Sequence, residues 1–307
     1  MSPRRSLLLA GLIAALAAAF LAAPARAQDK PLNKVNAVAT TSIIADFVRN
    51  VGGERVAVAT LVGPDGDAHV YSPTPGDART LASAAIVFVN GLGLEGWMTR
   101  LVKASGAKAP IVVVSNGVAP RKMQDEDRPG RLAVDPHAWQ SVANAKIYVA
   151  NIRDGLSAID PAGEATYRAN AAGYLAKLDE LEKEIAEAIG SIPVGRRRII
   201  TTHEAFGYFG DAYGMSFIAP QGVSTEAEPS AKDVAAIIAQ IRREKIPAVF
   251  LESITDPRLM QTIARETGAG IGGTLYSDAL SAPGGPAATY IEMMRHNLRE
   301  LTSALSG

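Results

Sequence analysis

A chain of 307 residues with 48% hydrophobic content is long enough for two domains with sizeable cores, and its 31 basic and 31 acidic residues exclude a nucleic-acid polycation. The balance comes from residues 1–27, which hold Arg4, Arg5 and Arg26 and no acid; the remainder has 28 basic against 31 acidic groups, a net charge of about −3. Cysteine is absent, so thiolate zinc sites, disulfides and thiol nucleophiles are excluded, no lipidated cysteine is predicted, and any metal must be held by His, Asp or Glu.

Residues 1–27 read as a secretory signal peptide: Arg4-Arg5, an apolar run from Leu7 to Ala23, then Pro24 and a small-x-small ending at Ala27. The run is short for a membrane span. Cleavage after Ala27 predicts a soluble periplasmic protein that is not a lipoprotein. From Val35 onward, short β-branched runs alternate with helical patterns, the mark of βαβ units and parallel sheets. Strands are predicted over 35–40, 56–62, 85–89 and 110–114, with helices over 42–50, from Thr74-Pro75, and over 95–103; residues 116–135 read as loop. After Asp160-Pro161, Tyr167, Ala171, Tyr174, Leu178, Leu181, Ile185 and Ala188 recur at three- and four-residue steps, which predicts one amphipathic helix. Its 29 or so residues at about 1.5 Å each would make a strut of roughly 43 Å. Beyond it come strands over 198–202, 216–219, 248–251 and 270–276, and helices over 204–213, from Ser230-x-x-Asp233, from Asp256-Pro257, and over 287–305. The predicted class is α/β: an N-terminal lobe over 28–159, a linking helix over 160–190 and a C-terminal lobe over 191–307, with mostly parallel sheets.

Three of the four histidines follow a predicted strand or lie in a loop: His69 in Asp67-Ala68-His69, His137 in Asp135-Pro136-His137-Ala138-Trp139, and His203 in Thr202-His203-Glu204. Asp278, in Tyr276-Ser277-Asp278, follows the last strand. Ligands in parallel α/β sheets gather outside the carboxyl ends of the strands. If the lobes face each other, a divalent cation between them meets three imidazoles and one carboxylate. Glu204 and Glu252 are runner-up ligands, Glu252 also as a group orienting a histidine; Asp67 and Asp135 read as solvated turn residues or second partners of the histidines. His296, within the last helix, reads as exposed and without a partner. Gly91-x-Gly93-x-x-Gly96 matches a dinucleotide fingerprint formally, but no acidic residue follows the next strand, so a tight strand-to-helix turn is the better reading. No activated serine, kinase or P-loop motif is present, and no catalytic residue is assigned.

These residues resemble the zinc/manganese family of solute-binding proteins that feed metal ABC transporters, the zinc-uptake-like cluster A-I. The resemblance runs from Val35-Asn36-Ala37-Val38-Ala39-Thr40-Thr41 to the final helix, through Asp67-Ala68-His69 with Tyr71-Ser72-Pro73, Asn90-Gly91-Leu92-Gly93-Leu94-Glu95, Asp135-Pro136-His137-Ala138-Trp139, Thr202-His203-Glu204-Ala205-Phe206-Gly207-Tyr208-Phe209 and Leu275-Tyr276-Ser277-Asp278. It implies two α/β lobes joined by a rigid helix, a metal in the cleft, and ligands at His69, His137, His203 and Asp278. It also implies a monomer that delivers its metal to an inner-membrane permease and ATPase, with a periplasmic metallochaperone as a further partner. Manganese-selective members typically have Glu where this chain has His203; three imidazoles and a carboxylate favour Zn2+ over Mn2+. The stretch 119–134 lacks the histidine-rich loop of many zinc members. Protonation of the histidines at roughly pH 5–6 is expected to weaken binding. Rival readings are a manganese-specific protein of the same family, a secreted zinc hydrolase using Glu204 or Glu252 as base, and a metal-binding adhesin.

Overall fold

The computed structural model describes residues 34–124 and 132–306; the predicted signal peptide and residues 125–131 lie outside the described residues. The first half runs β1 (Val35–Thr41), α1 (Ser42–Gly52), β2 (Val56–Val62), α2 (Pro75–Ala82), β3 (Ile86–Val89), α3 (Met98–Ser105), β4 (Ile111–Val113), β5 (Lys122–Gln124), β6 (Leu132–Val134) and α4 (Val142–Ile159). The long helix α5 (Glu164–Ser191) leads to β7 (Arg198–Ile200), α6 (Gly207–Tyr213), β8 (Ser216–Ile218), α7 (Ala231–Glu244), β9 (Ala248–Glu252), α8 (Arg258–Thr267), β10 (Gly270–Leu275) and α9 (Tyr290–Leu305). Two four-stranded parallel sheets result, ordered β2-β1-β3-β4 and β10-β9-β7-β8. In each, the first strand of the half lies inside the sheet and the chain reverses direction beside it, between β1 and β3 and between β7 and β9. Such switch points leave a crevice at the carboxyl ends of the strands. Strand β1 is buried continuously from Ala37 to Thr41, as a strand covered on both faces requires.

Local chemistry explains the element starts. Thr74 and Asp77 form a capping box at α2 with Pro75 at the first helical position, and Ser230 and Asp233 do the same for α7. Asp160, just before the long helix, makes no side-chain cap bond. Its carboxylate pairs with Arg55 at 2.8 Å and accepts the Tyr167 hydroxyl at 2.6 Å, tying the helix entry to the turn after α1.

Two departures from the sequence reading stand out. The predicted loop 116–135 contains the antiparallel pair β5–β6, with Lys122 opposite Val134. And 142–159, where no element is predicted, is the 18-residue helix α4, burying Val142, Ala145, Tyr148, Val149, Ile152 and Leu156 at helical spacing. Helix α4 is one wall against which α5 packs; α1 and α9 supply others. The α5 face is buried as predicted through Ile185, with Ile189 rather than Ala188 closing it. The strut is therefore a core helix along its length rather than a free-standing rod.

Phe47 of α1 is the hub of this packing. Its ring meets Tyr148 of α4, Tyr174 of α5 and Tyr290 of α9 edge-on, with centroids 6.2, 6.2 and 4.8 Å away. Such pairs add to the stabilisation from burial alone. Among the described residues, no helix is long and apolar enough to cross a membrane. Phe47→Ala is predicted to cost about 3–5 kcal/mol of unfolding free energy, read as a lower urea midpoint with an unchanged slope; Phe47→Leu should cost less.

Candidate metal centre

Each histidine is placed by a carboxylate two residues before it or on a neighbouring strand. Asp67 Oδ1 accepts the His69 amide at 2.8 Å, and its Oδ2 takes the Thr225 hydroxyl from the other half of the chain. Asp135 Oδ1 accepts both the His137 amide, at 3.0 Å, and the ring Nδ1–H, at 2.8 Å. A carboxylate only accepts, so Nδ1 carries a proton and Nε2 is the ring nitrogen turned to the site. Glu252, at the end of β9, accepts the Thr202 and His203 amides through Oε1 and sets Oε2 2.6 Å from His203 Nδ1. Asp278 follows β10, where Asn297 of α9 brackets Tyr276 by accepting its N–H and donating to its carbonyl. Trp139 and Gln140, just after His137, both donate to the Ser277 carbonyl.

The result is convergence. One ligand atom from each of His69, His137, His203 and Asp278 lies within 4.8 Å of the others. His69 Nε2 is 3.1 Å from His137 Nε2; Asp278 Oδ1 is 3.0 Å from His137 Nε2 and 3.8 Å from His69 Nε2; Asp278 Oδ2 is 3.1 Å from His203 Nε2. Bonds of about 2.0–2.1 Å to a tetrahedral ion would separate their donors by about 3.3 Å, within the observed range. His137, His203 and Asp278 are buried. Asp278 Oδ1, Oδ2 and His203 Nε2 have no aligned hydrogen-bond partner among the described residues, despite these short distances. Buried nitrogen and oxygen donors gathered at these separations fit a cation. His69 also lines a cleft of about 450 Å3 with Leu92, Leu94, Leu132, Pro136 and Val223.

Burial opposes charge on His137, but the carboxylates of Asp278 and Asp135 outweigh it and raise the ring to about 9. His203 is likewise disfavoured as a cation by burial, yet Glu252 and Asp278 hold it well above its ordinary value. Burial alone would raise Asp278; the charged His137 and His203 pull it well below the usual carboxylate range.

All four predicted ligand residues are brought together, and neither runner-up joins them. Glu252 is committed to His203 from behind. Glu204 is half-buried and outside the converging group, with its amide on the Gly222 carbonyl. Asp135 is buried rather than solvated, pinned by His137 and by Arg121 at 3.4 Å. His296 is not without a partner either: its Nε2 lies 2.9 Å from the Thr274 carbonyl and its ring packs edge-on against Tyr276, so it buttresses the strand leading to Asp278.

The Gly91–Gly96 segment is a tight turn, with Gly91 at φ 79° and Gly93 at φ 91°. The half-buried Glu95 carboxylate accepts the Asn90 and Gly91 N–H groups, occupying the mouth of the turn where a phosphate would have to sit. Glu95 and Asn90, quoted above only within a family motif, brace the strand end behind the converging group. Asn90, held by the Tyr148 hydroxyl at 2.6 Å, donates to the Pro136 carbonyl at 2.9 Å and so positions the residue before His137. Its place at the end of β3, beside the switch point, was the available signal.

The family profile described as "Zinc-uptake complex component A periplasmic" (ZnuA) matches residues 37–304. The chain belongs to this family of substrate-binding proteins of metal ABC transporters. It is 34% identical to the manganese-binding lipoprotein MntA of Halalkalibacterium halodurans, over 94% of this chain and 95% of the relative. It is 33% identical to the manganese ABC transporter substrate-binding lipoprotein PsaA of Streptococcus anginosus, over 89% and 90%. Among solved structures, the periplasmic zinc-binding protein TroA of Treponema pallidum superposes with a TM-score of 0.83 at 31% identity, covering 89% of this chain and all of TroA. The Mn-bound periplasmic metal-binding protein of Candidatus Liberibacter asiaticus gives 0.79 at 31%, with the same coverage.

MntA and PsaA are lipoproteins by name. That overturns the expected localisation as a free periplasmic protein that is not a lipoprotein, an expectation that rested on the absence of cysteine. Asp135→Asn removes the fixed acceptor behind His137 and is predicted to weaken metal binding about 10–100-fold in a chelator competition, with the circular dichroism spectrum unchanged.

Proposed function

We propose that this protein captures a divalent transition metal at His69, His137, His203 and Asp278 and passes it to an ABC permease driven by an ATPase. The observation that carries the reading is the convergence of three imidazole Nε2 atoms and one buried carboxylate on a common point. The lobe division expected from the sequence, 28–159 and 191–307 about the helix 160–190, is the frame of the reading. Zinc is the metal we favour, because three neutral nitrogens and one carboxylate suit it, whereas manganese prefers more oxygen donors. The names of MntA and PsaA favour manganese, and Asp278, with both oxygens turned to the site, offers a fifth donor that a larger coordination number would use.

A hydrolytic role has less support. A zinc hydrolase needs an open coordination position and a free base, while Asp278 stands where the open position would be and Glu252 is engaged by His203 and two amides.

Calorimetry on chelator-stripped protein tests the site: His137→Ala should lose at least about a hundredfold in affinity for zinc, and binding as tight as wild type would sink the assignment. His203→Glu should shift preference toward manganese, measured as the ratio of the two dissociation constants.

The pH dependence follows from the raised histidines. His137 titrates at about 9 in the metal-free protein, so at pH 7 it holds a proton that the metal must displace. Affinity should therefore climb as pH rises toward 9 and fall steadily below it, a higher window than the pH 5–6 expected from unperturbed histidines. About one proton or more should be released per metal at pH 7, detected with a pH-indicator dye; no release would contradict the exchange.

A further inference from the structure

The segment that carries Asp278 belongs by sequence to the second half of the chain, since it follows β10. Its backbone partners say otherwise. Up to Tyr276 the chain is held by its own half: Leu275 pairs with Glu252 and accepts the Ser253 amide, and Asn297 brackets Tyr276. At Ser277 the partners change sides. The Ser277 carbonyl accepts Trp139 Nε1–H at 2.9 Å and Gln140 Nε2–H at 2.8 Å. The Leu280 amide donates to Ser42 Oγ at 2.9 Å, and the Leu280 carbonyl accepts the Asp65 amide at 2.9 Å.

Ser42 is the first residue of α1, immediately after β1, and is itself buried. Asp65 sits in the turn that leads to His69, at a left-handed φ of 56° that aspartate tolerates better than most residues. The turn presenting one candidate ligand thus grips the segment presenting another. A buried amide whose acceptor is removed keeps its desolvation cost, so the Ser42 bond is a strong local constraint on the chain two residues past Asp278.

We propose that Ser42 is a positioning residue for metal binding: with the Asp65 amide it clamps Leu280 and makes Asp278 a ligand carried by the first lobe. His203 is then the second lobe's single ligand, and parting of the lobes divides the site three to one. The inference rests on the reading of Asp278 as a ligand.

The test is a set of double-mutant cycles on full-length protein, with Zn2+ affinity read by chelator competition. Ser42→Ala should weaken zinc about tenfold in the wild-type and His203→Ala backgrounds and should cost nothing further in Asp278→Asn. A merely structural role would produce the same loss in all three backgrounds, and that result, or no loss in any, overturns the proposal. Hydrogen exchange supplies an arm that needs no metal. In chelator-stripped wild-type protein the Leu280 amide should exchange slowly and in Ser42→Ala quickly; fast exchange in the wild type overturns the clamp while leaving the four-ligand reading intact. If Asp278→Asn alone binds zinc as tightly as wild type, the ligand reading fails and the clamp's role falls with it.

Discussion

A carboxylate with 2% of its surface exposed cannot stay ionised without a cation beside it, and Asp278 is such a group. Its surroundings answer that demand in two ways. His137 and His203 stand 3.0 and 3.1 Å from its two oxygens and hold it well below the usual carboxylate range, and on the proposed reading a metal ion would take the place of their protons. Asp135 and Glu252 extend the logic outward, each fixing a ring so that Nε2 and not Nδ1 faces the cavity.

The fold serves this demand by placing two parallel sheets so that their switch points supply the groups. Thr40, Asn90 and Glu95 lock the carboxyl ends of β1 and β3, and through Pro136 they set the approach to His137. His203 continues β7 and pairs with Gln221 beyond β8, while Glu252 ends β9 next door. The aromatic hub at Phe47 and the helix α5 hold the scaffold together. Asp46, one residue earlier, accepts the Tyr290 amide at the start of α9, and the Tyr290 hydroxyl reaches the Trp139 carbonyl, so the last helix is keyed to the first half of the chain. With these ties, large rearrangement of the lobes would break buried contacts; small tilts would not.

The parts of the site readable in the sequence were those that local grammar governs. Strand ends followed by His or Asp, caps such as Thr74-Pro75 and Ser230-x-x-Asp233, and the apolar period of α5 each depend on residues a few positions apart. The ligand candidates came from that grammar and from the family motifs that carry the resemblance. What stayed hidden depends on pairs far apart in the chain: Trp139 with Ser277, 138 residues away, and Ser42 with Leu280, 238 residues away. Asp135 was legible either as a solvated turn residue or as a partner of His137, because its closure by Arg121, 14 residues away, leaves no local signal. Helix α4 was a different kind of omission, since its apolar spacing was present in the sequence and simply competes with a β-branched composition that blurs the period.

Metal choice divides the relatives: MntA and PsaA are named for manganese, TroA and the family profile for zinc, and three imidazoles in one site favour zinc. The more basic claim, that these four side chains form one inner coordination shell, has a direct measurement. X-ray absorption at the zinc edge of stoichiometrically loaded protein should show three imidazoles and a carboxylate at about 2.0–2.2 Å, with multiple scattering from three rings. A spectrum fitted by oxygen donors with one imidazole or none would contradict the account.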